Sequence, residues 1–264
     1  MKNIGIIGFG NMGEAICAGI KSEYSTAKIG VYEKIEDKCV RAQSNYDADI
    51  FVSWEEFFSF SAIVILAVKP QEAENLFRVI RRFTEKKYIV SVMAGRTIDY
   101  IKKNLKTGQV ARLMPNIAAT KRKAFTGMTF SAEAEDEFKK TVSDIAGTIG
   151  TALELPENLI PAVIGLSGSG IAYVFLFLHA LALGGTEAGL PYPKSLEIAI
   201  ATIEGAAAMV RETGEQPITL LTKVISPAGT TIQGIKVLEE TGFTSGVMRA
   251  VELASRRAVE LENL

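Results

Sequence analysis

Six residues near the N-terminus, Gly8-Phe9-Gly10-Asn11-Met12-Gly13, narrow the folds open to this chain more than any other feature. A GxGxxG string is common by itself. Here it follows the apolar run at 4–7 and leads into a stretch of helical periodicity. Glu33 closes the next such run, 20 residues past Gly13. Strand, glycine turn, helix, strand and acidic end together form the fingerprint of a dinucleotide site. Gly8 permits the tight turn, Gly10 lets the backbone approach a diphosphate, and Gly13 lets helix and strand pack closely. The helix start, with the backbone of Phe9, Asn11 and Met12, offers N–H groups and partial positive charge to phosphate. Glu33 can accept hydrogen bonds from ribose hydroxyls and would repel a 2′-phosphate, and Lys34 partly offsets that repulsion. The expected cofactor is NAD(P)H, leaning to NADH.

The grammar around this turn extends to about residue 156. Short apolar runs at 4–7, 29–32, 63–67, 88–92 and 110–113 alternate with helical stretches such as 70–83, which Pro70 can open without losing a needed hydrogen bond. Runs apolar throughout suit a parallel sheet buried on both faces, and the alternation predicts a doubly wound Rossmann-type α/β domain over 1–156. Ligands bind beyond the carboxyl ends of such strands. The turn Ala67-Val68-Lys69-Pro70 is therefore expected to border the cofactor, although Lys69 could equally be a solvated loop lysine.

Beyond 156 the strand signal stops, and 157–264 is expected to form an all-helical domain for substrate binding and dimerisation. Helices are predicted at about 157–166, 168–189, 193–213, 217–224, 229–240 and 244–262. The last carries an apolar stripe of Val247, Ala250, Val251, Ala254, Ala258 and Leu261. Residues 159–183 carry no Asp, Glu, Lys or Arg and are long enough to span a bilayer. Pro161, Gly165 and Ser167-Gly168-Ser169-Gly170 interrupt them, which predicts a turn near 165–170 and then a helix apolar on nearly all sides. Such a helix must be buried in a core or a subunit interface, so no membrane partner is expected.

Composition removes several functions. Lys and Arg number 29 against 30 Asp and Glu, without the basic excess of a nucleic-acid surface. Cys17 and Cys39 stand in unrelated contexts, which argues against a zinc site or a disulfide scaffold and for a reducing cytoplasm. His179 is the only histidine, so a histidine metal cluster cannot be built within one chain.

Five strings carry a resemblance. They are residues 8–13, then Ala67-Val68-Lys69-Pro70-Gln71, Arg112-Leu113-Met114-Pro115-Asn116, Gly168-Ser169-Gly170-Ile171-Ala172-Tyr173 and Ser226-Pro227-Ala228-Gly229-Thr230-Thr231. In this order and spacing, over nearly the whole chain, the sequence resembles the pyrroline-5-carboxylate reductase family. The resemblance implies reduction of 1-pyrroline-5-carboxylate to L-proline with NAD(P)H, the last step of proline biosynthesis. It also implies a Rossmann domain and a helical domain that interlocks in a homodimer, often within a larger homo-oligomer. It places Ser226 and Thr230 against the substrate carboxylate, Gly229 where the backbone approaches closely, and Thr231 as the catalytic hydroxyl facing the ring nitrogen. Ser and Thr at such a turn are also ordinary helix caps, and a capped helix start is also an anion site. Asn116 is expected either on the nicotinamide side or as a turn former.

The chain departs from the family pattern at several places. Glu33-Lys34 stands in place of an Asn-Arg-like pair, Ile171 in place of proline, His179 in place of an acidic residue, and Ala228 in place of glycine. These departures leave open a diverged paralogue that reduces another cyclic imine. A 3-hydroxyacid-type dehydrogenase would need a proton-accepting lysine on the helical domain, and Lys194, Lys223 and Lys236 stand in no such motif. A dinucleotide sensor without turnover would not need Ser226, Thr230 and Thr231.

Overall fold

The computed structural model describes residues 2–262. Eight strands form one sheet in the order β3-β2-β1-β4-β5-β6-β7-β8. They are β1 (Ile4–Ile7), β2 (Ile29–Tyr32), β3 (Asp49–Ile50), β4 (Ile63–Leu66), β5 (Tyr88–Ser91), β6 (Val110–Pro115), β7 (Ala124–Phe130) and β8 (Gly150–Glu154). Between them run α1 (Asn11–Glu23), α2 (Glu36–Tyr46), α3 (Trp54–Phe60), α4 (Ala73–Ile80), α5 (Ile98–Asn104) and α6 (Asp136–Gly147). After β8 come α7 (Ile160–Val163), α8 (Gly170–Glu187), α9 (Tyr192–Thr213), α10 (Pro217–Val224), α11 (Thr230–Glu240) and α12 (Phe243–Glu262).

The five expected strands are all present, and β1 and β4 are buried at every position. That burial is what an apolar run without alternation requires, because helices cover both faces. One apolar cluster joins Ile4, Ile6, Ile16, Ile20 and Val31, and a second joins Ile7, Val64, Leu66, Phe57 and Phe77. The sheet is not wholly parallel, since β6 and β7 run antiparallel. The sequence reading missed β3, β7 and β8. In β7 the apolar run is broken by Thr126, Gly127 and Thr129, and Gly127 is bare because α7 packs there. A Cβ on it would lie 3.1 Å from Val163 Cγ1.

The chain divides into two compact units, residues 2–169 with 253–262 and Gly170–Glu252. The expected boundary at 156 marks where strands end, whereas the packing divides elsewhere. Ile160 and Val163 are buried in the sheet-bearing unit, and Glu262 is ion-paired to Arg112 of β6. The expected turn at 165–170 is corrected. Ile164–Gly168 forms one π-helical turn, Ser169 keeps right-handed helical angles, and its N–H donates to the Ile164 carbonyl at 2.7 Å. The widened turn carries the helical path through the Gly-Ser cluster without a break.

In the Gly170–Glu252 unit, α8 and α9 form an antiparallel pair that approaches closely at Gly185. A Cβ there would stand 2.8 Å from Ser195 Oγ. α8 buries only Gly170 and Ala182 in the single chain, and Phe175 and Leu176 are 58% and 69% exposed. By length and composition, the helical segment Glu157–Glu187 could cross a membrane.

Candidate active site

The sheet order reverses between β1 and β4, the switch point at which such folds bind ligands. Ile7 pairs with both Tyr32 and Leu66, so β1, β2 and β4 end side by side. The glycine turn follows β1 there. Gly8 has φ +91° and lies against the Ala67 carbonyl, with no room for a side chain. A Cβ on Gly13 would collide with the Gly8 carbonyl oxygen. Gly10 is different: a Cβ on it would meet nothing within 4 Å. That open space is where a diphosphate would sit. The first turn of α1 has no side-chain cap, which leaves its N–H groups for a ligand. The turn fits a dinucleotide on these two observations. The Ala67 Cβ would be 3.3 Å from one on Gly13, so the loop after β4 borders the same turn. In that loop Lys69 is exposed and Pro70 opens a short 3-10 turn.

Two of the expected cofactor residues have other duties. The Phe9 ring is fully buried, edge-on to Tyr46 at 6.0 Å, and its N–H donates to Glu33 Oε2 at 2.7 Å. Phe9 therefore shapes the turn instead of offering its N–H to phosphate. Glu33 accepts two more bonds at Oε1, from the N–H groups of Lys34 (2.7 Å) and Ile35 (3.1 Å), and Lys38 Nζ stands 3.6 Å from Oε2. Burial would raise this carboxyl. The N–H bonds from Phe9, Ile35 and Lys34 and the Lys38 ammonium outweigh it and hold the pKa below the ordinary glutamate value. Glu33 is thus a fixed anion tying the glycine turn to the loop after β2, where the sequence suggested only a free acceptor for ribose. Lys34 is exposed.

Asn116 turns out to organise the end of β6. Its Oδ1 accepts from Ala118 N at 3.1 Å, and its Nδ2 donates to Ser167 Oγ in the π-helical turn at 3.0 Å. Sequence reasoning passed over Ser167, whose signal was its place in the Gly-Ser cluster. It also passed over the surroundings of Arg112. This side chain is 0% exposed in the middle of β6 and reaches Glu157 Oε1 at 3.2 Å and Glu262 Oε1 at 2.6 Å. A lone arginine in an otherwise apolar strand signals that partners must exist.

The expected substrate residues lie in the other unit. Gly229 caps α11, and its N–H donates to the Ser226 carbonyl at 3.0 Å, closing the turn. A Cβ at 229 would strike Ser226 Oγ. Thr230 and Thr231 are the first two residues of this 11-residue helix, which has no side-chain cap. Among the described residues, neither hydroxyl has a hydrogen-bond partner. Unpartnered hydroxyls and uncapped N–H groups make a seat for a carboxylate. His179 lies on α8 and pairs through Nδ1 with the Tyr192 hydroxyl at 3.0 Å.

A glycine turn at the switch point of a Rossmann-type sheet, in a chain that continues as helices, defines the class of nicotinamide-dinucleotide oxidoreductases. Known proteins narrow the class. A family model described as pyrroline-5-carboxylate reductase dimerisation matches residues 157–261. Another, described as NADP oxidoreductase, coenzyme F420-dependent, matches residues 3–95. The pyrroline-5-carboxylate reductase of Methanosarcina acetivorans is 39% identical, with 98% of each chain covered. That of Synechocystis is 36% identical, over 98% of this chain and 97% of its own. The solved pyrroline-5-carboxylate reductase of Coxiella burnetii superimposes with a TM-score of 0.92 at 29% identity, covering 98% of both chains. The chain belongs to the pyrroline-5-carboxylate reductase family.

Proposed function

We propose that the chain reduces 1-pyrroline-5-carboxylate to L-proline with NAD(P)H as a dimer-based homo-oligomer. The observation that carries this reading is the start of α11, where two unpartnered hydroxyls, Thr230 and Thr231, flank uncapped N–H groups. Family membership, and a Plasmodium falciparum pyrroline carboxylate reductase solved with NADP that superimposes with a TM-score of 0.89 at 26% identity, support it. A dinucleotide held by residues 8–13 would supply the hydride that C5 of the protonated imine takes up as its nitrogen becomes the amine.

The chain's own residues bind and orient. Ser226, Thr230 and the N–H groups at the start of α11 hold the carboxylate, and Gly229 lets it come close. The Thr231 hydroxyl oxygen accepts from the N–H of the protonated ring nitrogen. A protonated imine is already electrophilic, so no strong general acid is required. On the cofactor side, Asn116 sets the turn after β6, and Ala67, Val68, Lys69 and Pro70 form one wall. The fixed negative charge of Glu33 favours NADH over NADPH. The faces of α8 and α9 left exposed in the single chain form the subunit interface, and the free thiols Cys17 and Cys39 suit a reducing cytoplasm.

The test is oxidation of NADH and NADPH by purified protein with 1-pyrroline-5-carboxylate, a six-membered cyclic imine carboxylate and a 3-hydroxyacid in the reverse direction. Turnover greatest with the five-membered imine is expected. Turnover confined to the larger ring would make this a diverged paralogue, and turnover of the hydroxyacid alone would overturn the reading.

A further inference from the structure

A cavity of about 360 Å³ opens on the sheet-bearing unit beside the loop after β4. Pro70 and Gln71 form one side, and Arg96, Tyr100 and Lys103 form the other. The Arg96 guanidinium carbon lies over the Tyr100 ring, 4.9 Å from its centroid. Its Nη2 donates to the Pro70 carbonyl at 3.5 Å, the outer limit of a hydrogen bond. Its Nε is buried and has no partner among the described residues. The Lys103 ammonium and the Gln71 amide likewise have none among those residues. Glu74, the carboxylate at the rim, is already paired with Arg78 at 3.1 Å.

A guanidinium and an ammonium without carboxylates of their own, facing one cavity, have the chemistry of an oxyanion receptor. Stacking occupies one face of the guanidinium and leaves Nη1, with the weakly held Nη2 beside it, for oxygens of one ligand, while the ammonium adds a point charge. We propose that this cavity binds a small dianionic oxyanion, such as a phosphate monoester or a dicarboxylate, and that its occupancy changes dinucleotide affinity. The coupling runs through Pro70. An anion that draws the guanidinium away removes the tie between Arg96 and the Pro70 carbonyl, which then keeps only the Ala73 N–H, so the turn after Lys69 stays closed but is no longer bound to the Arg96 segment. This second half rests on the reading that residues 67–70 border the dinucleotide, whereas the binding half stands without it. By linkage, cofactor and anion must alter each other's affinity by the same factor.

The experiment is titration calorimetry of the full chain, without cofactor and at constant ionic strength, with glycerol 3-phosphate and separately with succinate. Saturable binding of at least one probe is expected, and whichever binds identifies the source chemistry. Arg96→Gln and Lys103→Gln should each weaken it by about tenfold, the effect of one charge-assisted hydrogen bond. Gly10→Val should leave it unchanged. No saturable heat with either probe overturns the proposal. So does binding lost in Gly10→Val and kept in Arg96→Gln, which would assign the anion to the glycine turn. The bound probe should also shift the Kd for NADH in wild type, and in Lys103→Gln the same shift should need about tenfold more probe. Binding without that shift overturns the coupling, and a protein that binds the probe without reducing any imine overturns only the proposed reaction.

Discussion

The Glu33 carboxylate satisfies three backbone N–H groups, so removing it has two consequences that can be measured apart. Glu33→Ala should raise the ratio of kcat/KM for NADPH over NADH, because the repulsion disappears and the freed N–H groups stand beside Lys34 and Lys38. An unchanged ratio would mean that the ribose does not reach this residue. The same substitution should cost about 1–3 kcal/mol of stability, since the donors lose their acceptor. The pH dependence follows from the lowered pKa. A carboxyl depressed in the folded state contributes stability fully above its ordinary value of about 4.3 and loses it as pH falls through the folded value. The gap in urea midpoint between wild type and Glu33→Gln should therefore be complete at neutral pH and close in acid. At the substrate turn, Thr231→Val keeps the shape and removes the hydroxyl. The expected loss is about 1–3 kcal/mol in kcat/KM, with the KM for the dinucleotide unchanged. Thr230→Val should act mainly on the KM for the imine, because a carboxylate is bound alike in ground and transition states. Ala228, two residues before Thr230, has φ +57°, a left-handed conformation that costs an L-residue about 1–2 kcal/mol. Glycine adds about 0.5–1 kcal/mol of chain entropy in the unfolded state, so Ala228→Gly should still raise stability slightly, by about 0.5–1 kcal/mol, read as a higher thermal midpoint.

At the scale of elements, legibility followed burial. β1, β2, β4, β5 and β6 could be read because strands covered by helices on both faces are apolar at nearly every position, and no other short element has that pattern. β3 is only Asp49–Ile50, β8 is half-exposed, and Gly127 interrupts β7 for the sake of α7, so neither periodicity nor hydropathy marks them. The glycine turn was legible because each glycine answers a local steric demand. What Glu33 bonds to was not, because its partners are backbone groups whose direction depends on the folded loop. The π-helical turn was hidden for a related reason: glycine and serine also signal a break, and it is the Ser169 N–H bond to the Ile164 carbonyl that shows the helical path continuing. Arg112 was visible as an anomaly without its partners, which lie 45 and 150 residues away. Since Glu262 belongs to the last turn of α12, the Arg112–Glu262 contact pins the end of that helix to β6. Arg112→Met keeps the volume but leaves two partly buried carboxylates without their cation, at a cost of about 3–5 kcal/mol. Amide exchange should quicken at the end of α12 well before it does in β1. Uniform quickening through both would mean that the arginine supports the whole sheet instead of this helix end.

For the whole molecule, the exposed apolar faces of α8 and α9 decide the state in solution. Phe175, Leu176, Leu183 and Ile198 are each at least half exposed in the single chain, and soluble monomers avoid large exposed apolar patches. Two environments could cover such a face, a lipid bilayer or a second copy, since Glu157–Glu187 has the length and hydropathy of a span. The helices that follow favour the copy. α9 packs along α8 and presents the charged residues Lys194, Glu197, Glu204 and Arg211, which a bilayer core would exclude. In a two-fold interface each substitution acts twice, because the same patch meets itself or its complement on both subunits. Obligate homodimer interfaces bury upwards of about 2,000 Å², and a lone protomer of this chain would leave the apolar side chains of α8 and α9 in water. The wild-type protein should therefore sediment as a dimer or a multiple of one at micromolar concentration without detergent. Leu176→Glu, which places a charge in each subunit's face, should shift the population to monomer or to aggregate. A well-folded wild-type monomer at that concentration, or a protein that stays in solution only with detergent, would overturn this assignment. Dimers of Leu176→Glu as stable as wild type would move the interface to another face of the helical unit.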